Sequence, residues 1–373
     1  MKVVIVGAGI AGLSLGWRLA QSGASVTVLE RAQPGAGATL ASAGMIAPTA
    51  EHGDETSAEA KFGRASAALW PSFAAEIEQM SGRKIGFRPE GTLLIAQTGD
   101  EFAQLQRRGA SLPSMKSLST ADALALEPML APGIAGALFD PDEAQVDNRA
   151  VGLALAVAFI RAGGMLQTNE TAVRIDVADN RAAAAVSPFA TYHADAIVLA
   201  AGAWTARIQG LPPKIMPPVI PVKGEMIALE PGGPLPTHVI WGNEVYLVPR
   251  NGRLFVGATV ARDGFDTSLT DAAADWLRAH AVGLMPALAE WETAEHWAGL
   301  RPGSPDDLPI LGATALDGLF VASGQYRNGI LLAPAIAEAL RSLILERRSS
   351  VDISAFDPRR FTKPLLAKES SPG

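Results

Sequence analysis

The strongest constraint on this chain lies at its start, where Gly7-Ala8-Gly9-Ile10-Ala11-Gly12 joins a β-branched run, Val3 to Val6, to a helical stretch from Ile10 to Gln21. Ser22-Gly23 closes that helix, and a second apolar run, Val26 to Leu29, ends on Glu30. A G-x-G-x-x-G between strand and helix, with an acid at the end of the next strand, is the context of a dinucleotide fingerprint. Gly7 allows the tight turn, Gly9 lets the backbone approach a pyrophosphate, and Gly12 lets helix and strand pack closely. The helix N-terminus offers unpaired amides to the phosphates, and Glu30 would accept from a ribose hydroxyl. This commits the chain to an α/β core that opens with a βαβ unit. It does not separate NAD from FAD.

Composition narrows the chemistry. The 373 residues suit one large domain or two interlocked ones. With 48% apolar and 18% charged residues the chain can bury a large core, which excludes disorder. A net charge of −7 offers no field for nucleic acid. No cysteine means no disulfide, no thiolate metal site, no redox dithiol and no cofactor tethered through sulfur, so redox chemistry must come from a bound cofactor. His52, His193, His238, His280 and His296 show no metal-ligand spacing on one helix, so no metal is expected. The Met1 to Ala20 stretch resembles a signal peptide only superficially. It holds four glycines and Arg18 and runs straight into the second strand. No run of about 18 apolar residues suggests a spanning helix, and the cytoplasm is the expected compartment. Two motifs are decoys. Gly12-Leu13-Ser14-Leu15-Gly16 matches the G-x-S-x-G of serine hydrolases, but Ser14 falls inside a helix and not on a strand-to-helix turn. Asn169-Glu170-Thr171 is a chance glycosylation match.

Further along, helical patterns run from Ala58 to Met80, and strands are expected at Gly91 to Ala96 and Ala135 to Phe139 around a polar, helical middle. Asp140 to Asn148 reads as an acidic loop, Ala150 to Ala162 as a helix, Thr171 to Val177 as a strand and Ala196 to Leu199 as a buried strand. Prolines at 217, 218 and 221 punctuate what read as edge strands. Val245 to Val248 and Leu254 to Ala258 flank Asn251-Gly252, a pair favoured in two-residue hairpins, which sets Tyr246 opposite Gly257. A glycine there leaves open space above the ring, as suits a pocket wall. Gly318 to Ser323 reads as a strand, Ile330 to Leu345 as a helix, and the residues after Glu346 as a frayed tail.

No second fingerprint for a nicotinamide appears. Instead glycine-marked loops recur at strand ends, at Ala43-Gly44-Met45, Ala200-Ala201-Gly202 and Gly324 to Gly329, and together they suit a cofactor with a large ring system. Longer stretches carry a family resemblance: Ser42-Ala43-Gly44-Met45, Pro221-Val222-Lys223-Gly224-Glu225, Tyr246 to Arg250 through Gly257-Ala258-Thr259, Trp297 to Gly303, and Arg327 to Pro334. The sequence resembles the FAD-dependent amino-acid oxidases of the D-amino-acid oxidase superfamily, and within it the glycine oxidases of bacterial thiamine biosynthesis. From Gly99 to Pro132 the match is only general.

The resemblance implies a Rossmann-type FAD-binding domain, residues 1–82, 146–210 and 297–373, with an inserted, mostly antiparallel β-sheet substrate domain, residues 83–145 and 211–296. FAD would be bound non-covalently by Gly7, Gly9, Ile10, Ala11, Gly12, Glu30, Arg31, Ala38, Thr39, Ala43, Gly44, Met45, Val173, Gly202, Trp204, Gly324, Gln325, Tyr326, Arg327, Asn328, Gly329 and Ile330. Arg301 would clamp the carboxylate of a small amino-acid substrate, Tyr246 would donate to the same group, and Arg327 would lie nearby. A planar guanidinium suits a carboxylate because two parallel hydrogen bonds fix its orientation. Arg301 has no neighbouring acid in sequence until Asp306, which argues against a buried ion pair. The implied reaction oxidises glycine or another small primary or secondary amino acid to an imine, hydrolysed to a keto acid and ammonia, with molecular oxygen reduced to hydrogen peroxide. The alternative is a dehydrogenase acting on a D-amino acid or proline derivative with another electron acceptor. Relatives of this type can form homo-oligomers, and no interface signature is visible here. Two departures bear on the substrate. Val260 stands where methionine can occur, making room for more than glycine where it faces the pocket, and Gln325-Tyr326 replaces a His-Phe pair.

Overall fold

The β-branched run near the N-terminus becomes the middle of a six-stranded sheet. Lys2–Val6 lies parallel to Ser25–Glu30 on one side and to Ala196–Leu199 on the other. Leu319–Ser323 and Ile310–Ala313 extend the sheet beyond Ala196–Leu199, and Met165–Thr168 closes the opposite edge. All these pairs are parallel except the last hairpin, Ile310–Ala313 with Leu319–Ser323. The strands read as continuous apolar runs because both faces are covered. Helices Ile10–Gln21, Ala58–Ser81, Asn148–Arg161 and Gly329–Glu346 pack on one face. A small antiparallel sheet, Arg174–Ala178, Arg181–Val186 and Thr191–His193, covers the other. The computed structural model describes residues 1–51, 57–110, 112 and 114–362, so His52 and residues 363–373 of the expected tail lie outside the described residues.

The second large sheet has eight strands, in the order Thr293–Gly303, Ile220–Leu229, Arg253–Gly257, Val245–Arg250, Val239–Gly242, Thr92–Ala96, Gly136–Asp140 and Lys116–Leu118. Only the pairing of Val239–Gly242 with Thr92–Ala96 is parallel. Helix Asp271–Leu284 covers one face through Leu277, Ala281 and Leu284. The other face presents Met226, Tyr246, Val248 and Phe255 towards Ala43 and Met45 of the first sheet's loops. The α/β plan with a separate, mostly antiparallel sheet is therefore the one that forms.

Several local expectations change. Strand Thr293–Gly303 runs unbroken across position 297 and pairs along its length with Ile220–Leu229. That partner is an interior strand and not an edge. Its proline end is tolerated because Pro221 pairs with Thr293–Gly303 alone, the other neighbour joining only from Met226. The strand expected from Thr171 starts at Arg174, and Met165–Thr168 was not anticipated because its exposed edge position shows no alternation. Asp140 to Asn148 is no solvated loop: Asp140, Glu143, Gln145 and Asn148 are all buried. Beyond Glu346 the chain returns to the core, where Phe356 packs on Phe62 at 5.2 Å between ring centroids.

Candidate active site

The fingerprint turn is built as its glycines require. Gly7 has φ +111, and a Cβ on it would lie 2.4 Å from the Ala200 carbonyl oxygen. A Cβ on Gly12 would lie 2.0 Å from the Gly7 carbonyl oxygen. Gly12 therefore serves the packing of helix on strand and does not line the cavity, contrary to its assignment as a cofactor contact. Gly324 is likewise outside the lining. It turns the chain at φ +74 after Leu319–Ser323 and releases Gln325 inward.

Every other residue of the expected cofactor set lines one cavity of about 480 Å³ between the two large sheets. At one end the N–H of Ile10 donates to Thr39 Oγ1 at 2.9 Å. Glu30 accepts from the N–H of Ala8 at 2.8 Å and of Ala32 at 3.0 Å, which fixes its carboxylate while each oxygen keeps a further lone pair for a hydroxyl. Arg31 lies 3.5 Å over the Trp204 ring. Helices Ile10–Gln21 and Gly329–Glu346 both open onto the cavity with no cap from their own N-cap residue, the arrangement that favours an anionic ligand. Gln325, 5% exposed, lines the cavity, and its Nε2 has no partner among the described residues. A buried amide left unpaired is costly and points to a missing acceptor. These features fit a bound FAD.

The opposite end is the face of the antiparallel sheet. Gly224 on Ile220–Leu229 has no side chain, and the Arg301 guanidinium occupies that space: a Cβ on Gly224 would lie 2.2 Å from Arg301 NH1. That NH1 donates to the carbonyls of Lys223 and Thr259 at 3.2 and 3.1 Å. Arg301 pairs with no carboxylate among the described residues, and Asp306 is taken by Arg360 at 2.8 Å. The hairpin sets Tyr246 opposite Gly257 as expected, but the space above the glycine is not open. A Cβ on Gly257 would lie 2.4 Å from Tyr246 Cε2, so the ring itself fills it. Burial raises the Tyr246 phenol, and the positive charges of Arg301 and Arg327 oppose that shift. The phenol stays protonated and able to donate. Val260 is half exposed and is not among the residues that line the cavity. Gln325 and Tyr326 do line it.

Arg327 brings in a residue that the sequence did not mark. Its Nε donates to Glu51 Oε2 at 3.1 Å, and Glu51 also lines the cavity. Burial raises the Glu51 carboxyl while Arg327 and Arg301 oppose it, and the Glu51 charge raises Arg327 against its own burial. Glu51 ends the short helix Pro48–Glu51, whose N–H groups at Thr49 and Ala50 both donate to Glu143 Oε1 at 2.8 Å. Glu51 belongs to no motif in the sequence, and Glu143 sits in the stretch read as an acidic loop. Neither spacing nor periodicity marks them out.

The model of the FAD dependent oxidoreductase family, DAO, matches residues 2–343. The chain is 35% identical over 369 residues to a bifunctional protein ThiO/ThiG of Synechocystis sp., covering 96% of this chain but 54% of that relative, so it spans about half its length. It is 34% identical to a glycine oxidase of Geobacillus kaustophilus, covering 96% of each chain. Among solved structures, the crystal structure of glycine oxidase from Geobacillus kaustophilus superposes with a TM-score of 0.91 at 32% identity, covering 96% of this chain and 99% of that one.

Proposed function

The chain belongs to the DAO family of FAD-dependent oxidoreductases, and from that premise we propose that it oxidises glycine, and small amino acids like it, for the synthesis of the thiamine thiazole. One observation carries the reading: a guanidinium with no carboxylate partner among the described residues and a protonated phenol stand side by side at one end of a cavity whose other end carries the dinucleotide fingerprint.

The chemistry that a bound FAD would supply is acceptance of a hydride, two electrons with one proton, from the amine-bearing carbon. The chain's own residues bind and orient. Gly9, Ile10, Thr39 and Glu30 would hold the nucleotide end, and Gln325 and the N-terminus of Gly329–Glu346 would meet the ring end. Arg301, its Nη1 held by two carbonyls, takes the substrate carboxylate with its remaining N–H groups, and Tyr246 adds a donor to the same group. The clamp fixes where the α-carbon stands, which is the main service a site of this kind performs. No side chain is assigned to remove a proton. Loss of a hydride and a proton leaves the imine, and water converts it to the keto acid and ammonia.

The supporting units are the FAD-binding stretches and the substrate stretches expected above, with the substrate unit extended through Gly303 because strand Thr293–Gly303 pairs within its sheet. Molecular oxygen is the proposed acceptor and the cytoplasm the proposed compartment. Among the described residues no helix is long and apolar enough to cross a membrane. The test is stoichiometry. With glycine the purified protein should consume one oxygen for each glyoxylate, ammonia and hydrogen peroxide formed. Turnover that requires an artificial acceptor and ignores oxygen would replace the oxidase with a dehydrogenase.

A further inference from the structure

We propose that Glu51 sets the net charge at the substrate end of the cavity, and that it thereby restricts the enzyme to substrates carrying one carboxylate. This rests on the amino-acid oxidase reading and adds the charge class of the substrate. Two guanidiniums, Arg301 and Arg327, line that end, and Tyr246 is neutral. Two cations would suit a dicarboxylate. Arg301 pairs with no carboxylate among the described residues, its partners being the Lys223 and Thr259 carbonyls and the neutral Tyr246 phenol, so its charge is left for the substrate. Arg327 is spent on Glu51, with side chains 29% and 13% exposed respectively, largely withdrawn from solvent screening. One positive charge remains, which matches the single carboxylate of an α-amino acid.

The backbone that carries Glu51 is anchored, and its side chain is held by Arg327. Its helix is only Pro48–Glu51, and the carboxylate of Glu143 ties that helix by two backbone N–H groups. A second carboxylate on the substrate could reach Arg327 only by displacing Glu51 or by lying against its negative charge. Selectivity of this kind comes from the repulsive element as much as from the attractive one. Glu51→Gln keeps the shape and an oxygen that accepts from Arg327 while it removes the charge.

The test uses the FAD-loaded enzyme. Calorimetric dissociation constants are measured for acetate and malonate, which cannot be oxidised, and kcat/KM for glycine and iminodiacetate. In Glu51→Gln, malonate binding relative to acetate, and iminodiacetate turnover relative to glycine, should each improve about tenfold, as expected when a like charge is removed from beside the ligand. Glu51→Asp, which restores the charge, should return both ratios towards the parent. Changes below about threefold in a folded, flavin-loaded Glu51→Gln overturn the proposal. If that variant does not fold, Glu51→Ala is read by the same ratios. An enzyme that oxidises glycine with unmoved ratios loses only the charge assignment. One whose malonate-to-acetate ratio follows Glu51 but which never oxidises glycine loses the functional reading and keeps the charge assignment.

Discussion

Arg301 lies flat against its sheet because Gly224 has no side chain to hold it off, and Tyr246 does the same over Gly257. Two adjacent strands thus each give up one side chain so that a guanidinium and a phenol can share a surface. Gly224→Ala would place a methyl 2.2 Å from Arg301 NH1, on a strand whose backbone is fixed by neighbours, so the guanidinium must move. A displaced clamp misplaces the reacting carbon, and kcat/KM for glycine should fall by about a hundredfold while the flavin spectrum is kept. Unchanged kinetics would mean that the clamp tolerates a shifted pose. Arg301→Ala should raise KM and lower kcat by orders of magnitude, again with the yellow spectrum intact, because the proposed clamp touches substrate and not the cofactor's anchor. Loss of flavin would assign Arg301 to structure instead. At this scale the sequence was informative where residue type suggests a chemistry, and Arg301 and Tyr246 do line the cavity. It was silent where burial decides, as with Glu51, because nothing in its neighbours shows which acids face inward.

Elements carry the same lesson. The hairpin register was legible because Asn251-Gly252 fixes the turn, and the turn fixes every cross-strand pair, Tyr246 with Gly257 included. The helix Pro48–Glu51 was not, since four residues have no periodicity to read and what holds it is a carboxylate 94 residues away. That carboxylate makes a prediction. Burial, and then the neighbouring Asp140 charge, raises Glu143 to about 8. The folded state therefore keeps a proton that the unfolded chain releases near its ordinary value of 4.5. Between those two values the folded state binds more protons, so stability should decline as pH rises from about 4.5 to 8 and level off above. Melting temperatures across that range should show the decline in the parent and a flatter profile in Glu143→Gln. An identical slope in both would assign the pH dependence to other groups.

In the whole molecule, the fingerprint sheet and the antiparallel sheet face each other, and the cavity is what lies between. Arg250 helps join them, donating from the hairpin strand to the Ala43 carbonyl at 2.7 Å. The first sheet was legible from its apolar runs and glycines. The span of the second was less so, because Thr293–Gly303 is broken by Pro302 and glycines in sequence, yet is held as a strand by its long pairing. Gly9 tests the arrangement. A Cβ there would meet only Thr39 Oγ1, at 3.5 Å, so Gly9→Leu should fold as well as the parent but project into the nucleotide end of the cavity. It should be purified colourless, with a circular dichroism spectrum like the parent's. A fully flavin-loaded Gly9→Leu would remove the fingerprint from the account.

The most direct test of the central claim is to mix the FAD-loaded protein with glycine in the absence of oxygen and follow the flavin absorbance, with sarcosine, D-alanine and D-proline in parallel. The account predicts rapid bleaching by glycine. Bleaching by D-proline or D-alanine with none by glycine would contradict it, keeping the fold, the cofactor and the Arg301 clamp while moving the activity to another amino acid.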